Sequence, residues 1–309
     1  MNSLPRSFVL TPKVVEARRR GAAVVALEST VITHGLPYPQ NISLARDMES
    51  AVSTAGALPA TIAVLDGKVH IGLQTEQLER LGREEHMGKI SVRDFGPALA
   101  QKTCGGTTVA GTIFAAHKAG LEVMATGGIG GVHQHPPFDI SADLQQLSRT
   151  PIIVVCAGAK AILNLPATLE MLETLSVPVV GYRTDELPAF YAPDSGLPLS
   201  QRVENPGEVA AIARAHWRLG LKSAVLVVAP PPPGQALPMA EVQGAIEQAV
   251  AEAVTSGVRG QGVTPFLLRR VSELTGGASL EANLSLLENN ARIAGEIAVA
   301  LASPAQARA

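Results

Sequence analysis

Residues 126–160 read TGGIGGVHQHPPFDISADLQQLSRTPIIVVCAGAK, and this stretch decides the predicted fold. An apolar run, residues 123–125, leads into the stretch, and a second apolar run, residues 152–156, lies near its end. Each run is followed by a turn rich in glycine or alanine. Glycine accepts positive φ angles and lets the backbone approach a ligand closely. The pattern indicates an open α/β sheet, in which ligands bind beyond the carboxyl ends of the strands.

The polar side chains of this stretch indicate an active site. Five of them lie within eleven positions, and a lone lysine follows the second strand: His133, His135, Asp139, Ser141, Asp143 and Lys160. Ordinary structural explanations also exist. The histidines could cap a loop, which is the favoured interpretation for His135, and Ser141 and Asp143 could cap a helix that runs to residue 149. The glycine turn lacks the following helix of a G-x-G-x-x-G fingerprint, so it predicts dinucleotide binding only weakly.

The composition favours a protein that binds a small molecule. The 309 residues carry a net charge of −2, so no basic excess indicates a nucleic acid polymer as partner. The amino terminus lacks the apolar core of a signal peptide, and no apolar run reaches the roughly 18 residues of a membrane span. Cys104 and Cys156 fit neither a disulfide framework nor a zinc pattern. We therefore expect a cytoplasmic protein without a membrane partner.

Along the whole chain, apolar runs of strand length alternate with helical patterns. Such alternation predicts a mostly parallel central sheet in a three-layer α/β/α sandwich, here with extra C-terminal helices. We expect one domain over residues 1–309, with flexible ends at 1–10 and 303–309. Asp66-Gly67 between two apolar runs predicts a β-hairpin. The loop at residues 182–196, rich in Asp, Pro and aromatic residues, predicts a lid or a subunit contact.

Other polar residues are ambiguous by themselves. Glu28 follows the apolar run at residues 22–27, a position suited to acid–base chemistry, but on the residues alone a loop glutamate paired with a cation is the preferred interpretation. Gly-Gly-Thr-Thr-Val at residues 105–109 opens a predicted helix and could bind an anion or merely cap the helix. Lys89 lies in a loose segment, where most lysines are solvated.

Several of these segments resemble the signature blocks of the pseudouridine-5′-phosphate glycosidase family. The first blocks are G-G-I-G-G-V-H, F-D-I-S-A-D-L and V-C-A-G-A-K within residues 127–160. Further blocks lie at residues 28–30, 34–41, 177–190, 263–277 and 283–294. The resemblance is collinear over nearly the whole chain. The loop after His133 departs from it, since it reads Q-H-P-P where the family usually has a basic residue and a longer insert.

The resemblance implies reversible cleavage of pseudouridine 5′-phosphate to uracil and ribose 5-phosphate. It also implies a divalent metal such as Mn²⁺ and a homotrimer. The bond that is cleaved joins two carbon atoms, so the two carboxylates of an ordinary glycosidase would leave uracil to depart as a carbanion. A lysine that forms an iminium at the anomeric carbon supplies an electron sink. Its amine must be uncharged, and desolvation by the apolar residues 154–159 would favour that state.

The resemblance also implies a role for individual residues. Glu28 is the implied proton donor, Lys160 the nucleophile and Asp139 the metal ligand. His133 would move protons or orient the base, and Val109 would contact the substrate through its backbone. The implied substrate-binding residues are Lys89, Val109, Thr126, His133, Ser141, Ala142, Asp143 and Asn283.

Two other functions remain open on the sequence alone. A metal-assisted N-glycoside hydrolase would use Glu28 and Asp143 as a carboxylate pair. A non-catalytic sugar-phosphate binding protein would use Lys160 only to pair with phosphate. The first would accept uridine phosphate as a substrate, and the second would bind ribose 5-phosphate without forming uracil.

Overall fold

The computed structural model describes residues 4–134, 138–258 and 260–303. Its strands are β1 (Phe8–Leu10), β2 (Val24–Leu27), β3 (Leu58–Leu65), β4 (Lys68–Ile71), β5 (Gly88–Ile90), β6 (Gly105–Thr107), β7 (Val123–Ala125), β8 (Ile153–Cys156), β9 (Val179–Tyr182), β10 (Arg202–Val203) and β11 (Val225–Val228). Its α-helices are α1 (Pro12–Arg20), α2 (Gln40–Thr54), α3 (Thr75–Arg83), α4 (Phe95–Ala100), α5 (Val109–Lys118), α6 (Ala142–Leu147), α7 (Leu165–Thr174), α8 (Pro206–Arg218), α9 (Met239–Thr255), α10 (Val263–Leu274) and α11 (Ala278–Ala302). A π-helix at Val31–Gly35 follows β2.

The central part of the sheet is parallel. The strand order is β1-β4-β3-β2-β7-β8-β11-β9-β10, and β2 pairs in parallel with β3 on one side and β7 on the other. β8 continues the parallel pairing from β7 to β11. These central strands are apolar along their whole length because helices cover both faces of the sheet. The predicted α/β fold with a mostly parallel sheet and C-terminal helices is confirmed.

One edge of the sheet contains the antiparallel pairs. β3 and β4 form the predicted hairpin, with Asp66 and Gly67 at positive φ angles of 50° and 73°. β6 also pairs antiparallel with β3 and parallel with β5, so the segment that carries Lys89 is a strand rather than a loose loop. The first three residues of the predicted anion-binding segment, Gly105–Thr107, likewise form a strand, and α5 begins only at Val109, with Thr108 as its cap.

The long C-terminal helix connects the helical layer to the site. α11 packs against α2 and α8 and also contacts β2, β7 and β8. On this helix, Gly295 lies so close to α2 that an added Cβ would come within 2.6 Å of the Ala55 Cβ. A small residue at this position therefore lets the two helices approach, and the carboxyl-terminal part of the chain becomes part of the core around the parallel strands.

One sequence-based prediction needs correction. The N-terminal residues 1–10 were expected to be flexible, but Phe8–Leu10 pairs in parallel with β4. The loop at residues 182–196 was expected to form a lid or a subunit contact, and this stays a prediction. Its middle is buried, with Phe190 and Tyr191 each 2% exposed and packed edge to face. Both aromatic residues belong to the hydrophobic core. Residues 304–309, predicted to be flexible, lie outside the described part.

Within the described ranges, none of the helices combines the length and the apolar character that a membrane crossing requires.

Candidate active site

The site begins at the carboxyl ends of three neighbouring parallel strands. Glu28 follows β2, Thr126 follows β7, and the segment that ends in Lys160 follows β8. The chain leaves β2 for β3 on one side and later returns to β7 on the other. This reversal of strand order is a topological switch point, where open α/β sheets form their ligand-binding crevices. Residues that are more than a hundred positions apart in the sequence therefore meet at one edge of the sheet.

A cavity of about 600 Å³ opens at this edge. Its wall contains almost all of the predicted site residues: Glu28, Lys89, Val109, His133, Asp139, Ser141, Ala142, Asp143, Lys160 and Asn283. Thr126 is the exception, because it is completely buried behind Glu28. The structure thus brings the predicted residues together. Thr126 touches the carboxylate instead of the cavity.

Hydroxyl groups hold the carboxylate of Glu28. Glu28 is only 6% exposed. Thr30 Oγ1 donates a hydrogen bond to Oε2 at 2.5 Å, and Thr126 Oγ1 donates to Oε1. Because both of its oxygens accept hydrogen bonds, the carboxylate is held in one orientation in the cavity wall. The bond from Thr126 spans the boundary between β2 and β7, so the sheet itself positions this acid.

Backbone hydrogen bonds connect the glycine-rich turn to the segment that carries Lys160. Ala157 N donates to Gly127 O at 2.8 Å, and Lys160 N donates to Ile129 O at 3.1 Å. Ile129 N donates in return to Gly158 O at 3.1 Å. These bonds continue the pairing of β7 and β8 beyond the ends of both strands. The backbone of Lys160 is therefore held by the regular structure beneath it.

Glycine is required at two points of this arrangement. Gly158 has a φ angle of +86°, in the left-handed region that side chains other than glycine rarely adopt. At Gly128, an added Cβ would lie 2.7 Å from the ring of Phe190. The absence of a side chain at Gly128 admits this ring into the cavity wall. Phe190 was not predicted as a site residue, although it ends the family-like block at residues 177–190 and lies in the loop rich in aromatic residues.

Asp143 serves the architecture of the site. Its Oδ1 accepts from Ala110 N at 2.8 Å, and its Oδ2 accepts from Gly130 N at 2.8 Å. The carboxylate therefore connects the first turn of α5 to the glycine-rich turn. The free amides at the N-terminus of α5 favour a negative charge at this position. Ser141 caps α6, as predicted, by accepting from Asp143 N at 3.2 Å. Because both oxygens of Asp143 already accept backbone hydrogen bonds, it is poorly suited to act as a catalytic base.

Several charged and titratable groups lie close together in the cavity. Burial lowers the pKa of Lys89, and the neighbouring Lys160 lowers it further, while Glu28 and Asp143 oppose this effect. Burial also lowers the pKa of His34, which the π-helix places in the cavity wall, and Lys89 adds to that shift. Two lysines that influence each other electrostatically can together attract an anionic ligand. His34 was not predicted as a site residue, although it lies in one of the family-like blocks.

The loop that contains Asp139 is anchored at both of its ends. His133 N donates to Asp139 O at 2.9 Å, and Val132 pairs with Ile140 in an antiparallel bridge. Burial lowers the pKa of His133, while Asp139 acts in the opposite direction. His135, which was predicted to cap this loop, lies outside the described residues together with Pro136 and Pro137. In the part of the chain that the structure covers, no group of three or more His, Cys, Asp and Glu side chains could hold a metal.

Asn290 fixes the glycine-rich turn from behind. It lies on α11 and is fully buried. Its Nδ2 donates to Thr126 O at 2.9 Å and to Gly127 O at 3.3 Å. These two carbonyls follow β7, so the amide closes the end of that strand. Asn290 lies in the family-like block at residues 283–294 but was not predicted as a site residue, since nothing in the local pattern shows that a side chain on the last helix reaches a turn far earlier in the chain.

Asn290→Asp should destabilise the protein strongly at neutral pH. The substitution preserves the shape of the side chain but turns a donor toward two carbonyls into a buried carboxyl group without a partner. We expect the free energy of unfolding to fall by about 3–5 kcal/mol at pH 7. The new carboxyl must take up a proton on folding, so the loss should shrink as the pH is lowered. Denaturant unfolding at several pH values measures this effect.

Asn289→Asp is the matched control for Asn290→Asp. Asn289 is the preceding residue on the same helix and accepts a hydrogen bond from Arg292 at its surface side. A carboxylate can accept this bond equally well. The control should therefore unfold like the native protein. Equal stability of the two variants at pH 7 would contradict the assignment of Asn290 as a buried clamp.

The sequence is similar to known proteins over nearly its full length. A model of the family described as "Indigoidine synthase A like protein" matches residues 13–300. The chain is 50% identical to a pseudouridine-5′-phosphate glycosidase of Paracoccus denitrificans, over 97% of this chain and 100% of the relative. It is 53% identical to a protein of the same name from Gemmatimonas aurantiaca, over 94% of this chain and 95% of the relative.

Solved structures show the same fold. The prealnumycin C-glycosynthase AlnA, in complex with ribulose 5-phosphate, is 40% identical, with a TM-score of 0.89 over 96% of this chain and 98% of that one. An indigoidine synthase A-like protein of Thermotoga maritima is 37% identical, with a TM-score of 0.89 over 98% of this chain and 100% of that one. The chain therefore belongs to the indigoidine synthase A-like family, together with the pseudouridine-5′-phosphate glycosidases to which it is about half identical.

Proposed function

We propose that the protein cleaves the carbon–carbon glycosidic bond of pseudouridine 5′-phosphate, reversibly, to uracil and ribose 5-phosphate. The observation that carries this proposal is the placement of Glu28 and Lys160 in the wall of one cavity, beyond the ends of β2 and β8. The names of the close relatives support this substrate. The ribulose 5-phosphate that occupies the structural neighbour AlnA supports a phosphorylated pentose as the sugar component.

In the proposed mechanism, the amine of Lys160 attacks the anomeric carbon. The bond from that carbon to the ring oxygen breaks, and the electron pair stays on the oxygen, which takes a proton from Glu28. The lysine nitrogen then gives a proton to the ionised Glu28 and uses its lone pair to form an iminium. The bond to the base breaks, and its electron pair goes to the base carbon, which takes a proton from Glu28. Water finally adds to the iminium, releases ribose 5-phosphate, regenerates the amine and returns a proton to Glu28. The nitrogen lone pair thus replaces, at the anomeric carbon, the electrons that leave with the base.

The remaining residues of the wall would bind the substrate. We assign Lys89 to the phosphate or ribose, because a second lysine beside Lys160 gives the cavity a positive region. Val109 is the first residue of α5, where the helix N-terminus favours an anionic group. Asn283 on α11 also lines the cavity and would contact the substrate. His133 would orient the base or move a proton.

We further propose that Asp139 binds Mn²⁺ or a similar divalent ion. The described residues offer one carboxylate at this point rather than a cluster of ligands, so the ion would take most of its ligands from water and substrate oxygens. When bound, such an ion supplies Lewis-acid stabilisation of negative charge on oxygen. The proton transfers are carried out by the side chain of Glu28, and the nucleophilic attack by the amine of Lys160.

A chelator should reduce turnover, and added Mn²⁺ should restore it. In Asp139→Asn, we expect the Mn²⁺ concentration at half-maximal activity to rise by about ten-fold or more, because a neutral amide is a weaker ligand. Binding of Mn²⁺ in the presence of ribose 5-phosphate, followed by electron paramagnetic resonance, gives a second measurement. Asp194→Asn on the exposed loop is the matched control. Native Mn²⁺ dependence in the Asp139 variant would remove this residue from the metal site.

The geometry disfavours the N-glycoside hydrolase. That function needs Asp143 as a free catalytic carboxylate, but both of its oxygens accept backbone hydrogen bonds. The decisive experiment offers pseudouridine 5′-phosphate and uridine 5′-phosphate separately to the enzyme with Mn²⁺. We expect uracil from pseudouridine 5′-phosphate only. Uracil from uridine 5′-phosphate would favour the hydrolase, and tight binding of ribose 5-phosphate without any uracil would favour a non-catalytic binding protein.

We also propose that the protein is a homotrimer in the cytoplasm, as the family resemblance implies. Light scattering coupled to size-exclusion chromatography should give a mass about three times the 32.1 kDa of one chain. A monomer mass across a range of protein concentrations would contradict the proposed assembly.

A further inference from the structure

Thr30 makes a hydrogen bond that can reverse when Glu28 gives up or takes a proton. An ionised carboxylate only accepts hydrogen bonds, whereas a protonated carboxyl also donates one. Glu28 is buried between Thr30 at Oε2 and Thr126 at Oε1. A neighbouring hydroxyl that can both donate and accept is able to hold the carboxyl group in either protonation state.

Thr30 has the second partner that such a change requires. Its Oγ1 lies 2.5 Å from Glu28 Oε2 and 3.3 Å from the carbonyl oxygen of Thr107. A hydroxyl has a single hydrogen, which can rotate toward either acceptor. In contrast, the hydrogen bond that the structure shows for the Thr126 hydroxyl goes to Glu28. The two threonines are therefore not equivalent.

We propose that Thr30 is a positioning residue that lets Glu28 hold either protonation state in one fixed orientation. With Glu28 ionised, Thr30 donates to Oε2. With Glu28 protonated, the carboxyl donates to Thr30 Oγ1, and Thr30 turns its own hydrogen to the Thr107 carbonyl. The oxygen atoms keep their places in both states, so only the O–H bond of the carboxyl group has to turn toward the ring oxygen when the proton is delivered. This inference rests on the proposed role of Glu28 as proton donor.

Other charged groups surround Glu28 and remain constant in a test of Thr30. Lys89 on β5 interacts electrostatically with Glu28. Lys160 beyond β8 and Asp143 on α6 act on Lys89 in the same cavity. His34 on the π-helix completes the titratable groups near Thr30, and its pKa is lowered by burial. A substitution of Thr30 by an uncharged residue of the same shape leaves all of these groups in place.

The test compares Thr30→Val and Thr30→Ser in the full-length enzyme with Mn²⁺. The dependence of kcat/KM on pH is measured for cleavage of pseudouridine 5′-phosphate. In Thr30→Val, kcat should fall about ten- to a hundred-fold with little change in KM. The part of the profile in which activity falls with rising pH should shift to higher pH by about half to one pH unit. The reason is that the ionised carboxylate of Glu28 loses the hydrogen bond that the Thr30 hydroxyl donates to it. Thr30→Ser keeps the hydroxyl and should restore the native profile.

Thr33→Val is the matched control. Thr33 lies on the same segment, and its hydroxyl bonds to Ser29 O and to the ring of His34 rather than to Glu28. Its profile should keep the native limb. If Thr30→Val does not fold, Thr30→Ala takes its place and should show the same shift. A native profile in the folded Thr30 variant, or a shift that Thr30→Ser does not reverse, would overturn the inference.

Glu28→Gln separates this inference from the proposed function. If Glu28→Gln is inactive while Thr30→Val shows the native profile, Glu28 is the acid and Thr30 has no part in its protonation. If Glu28→Gln retains native turnover, the proposed role of Glu28 fails, and the inference about Thr30 fails with it.

Discussion

Lys160→Met should abolish the formation of uracil from pseudouridine 5′-phosphate. We expect kcat to fall on the order of 10⁴-fold or more, because the substitution removes the nucleophile and with it the route through the iminium. Met has a flexible side chain without charge, so the cavity wall should remain filled. The variant should unfold like the native protein, because Lys160 is only partly buried at the edge of the cavity.

Lys160→Arg distinguishes an amine that reacts from one that only attracts phosphate. Arginine keeps a positive charge and binds phosphate well, but its guanidinium is not deprotonated in proteins and does not form the iminium. A binding role for Lys160 predicts that Lys160→Arg retains function, whereas the proposed mechanism predicts that it is as inactive as Lys160→Met. Lys222→Met, at an exposed position, is the control for loss of a lysine.

Reduction with borohydride in the presence of ribose 5-phosphate should tether the sugar to Lys160. Reduction of an iminium gives a stable amine, and peptide mass spectrometry locates it. Lys89 is the critical comparison, because it is a second amine in the same cavity, and burial lowers its pKa. A label on Lys89, or no label on either lysine, would remove Lys160 from the mechanism.

Glu28→Gln should reduce turnover by about 10²- to 10⁴-fold, the usual contribution of a general acid. The amide has nearly the same shape as the carboxyl group but cannot supply the proton to the ring oxygen. The hydroxyls of Thr30 and Thr126 can rotate to suit an amide, so the fold should be retained. Steady-state kinetics and thermal unfolding measure the two effects separately.

Glu28→Asp is the companion variant for Glu28→Gln. It keeps the acid but withdraws it by one methylene from the ring oxygen and from its two hydroxyl partners. We expect activity between that of the native enzyme and that of Glu28→Gln, because acid catalysis depends on reach as well as on chemistry. Equal activity of Glu28→Gln and the native enzyme would refute the assigned role.

Much of the local structure was predictable because its signals lie within a few residues. Asp66-Gly67 predicted the hairpin, since both positions have positive φ angles that Asp and Gly tolerate. Asn205 before Pro206 is a helix-start signal of the same local kind, and in the structure α8 begins there, with the Asn205 side chain accepting from Glu208 N. Ser141 was likewise predicted as a helix cap. In such motifs a side chain satisfies backbone groups of its own segment, so neighbours in sequence suffice.

Predictions failed where contacts between distant segments decide the structure. Residues 105–107 resemble a helix start in sequence, but β3 and β5 are available as partners, and the segment pairs with them as a strand. Phe190 and Tyr191 lie in a loop rich in Asp and Pro, but both are 2% exposed and belong to the hydrophobic core. Burial of large apolar surface outweighs the local preferences of a loop.

By itself, the sequence determined the α/β class and identified ten residues of the cavity wall. It did so through apolar periodicity, turn chemistry and the family-like blocks. Only the tertiary structure decided that β2 lies beside β7, so that Glu28 shares its cavity with Lys160 and accepts from Thr126. The same packing engages Asp143 with two backbone amides and brings Asn290 to the glycine-rich turn. The local sequence pattern indicates whether a side chain is buried. Which buried groups contact each other depends on the order of the strands, and that order is set by packing across the whole sheet.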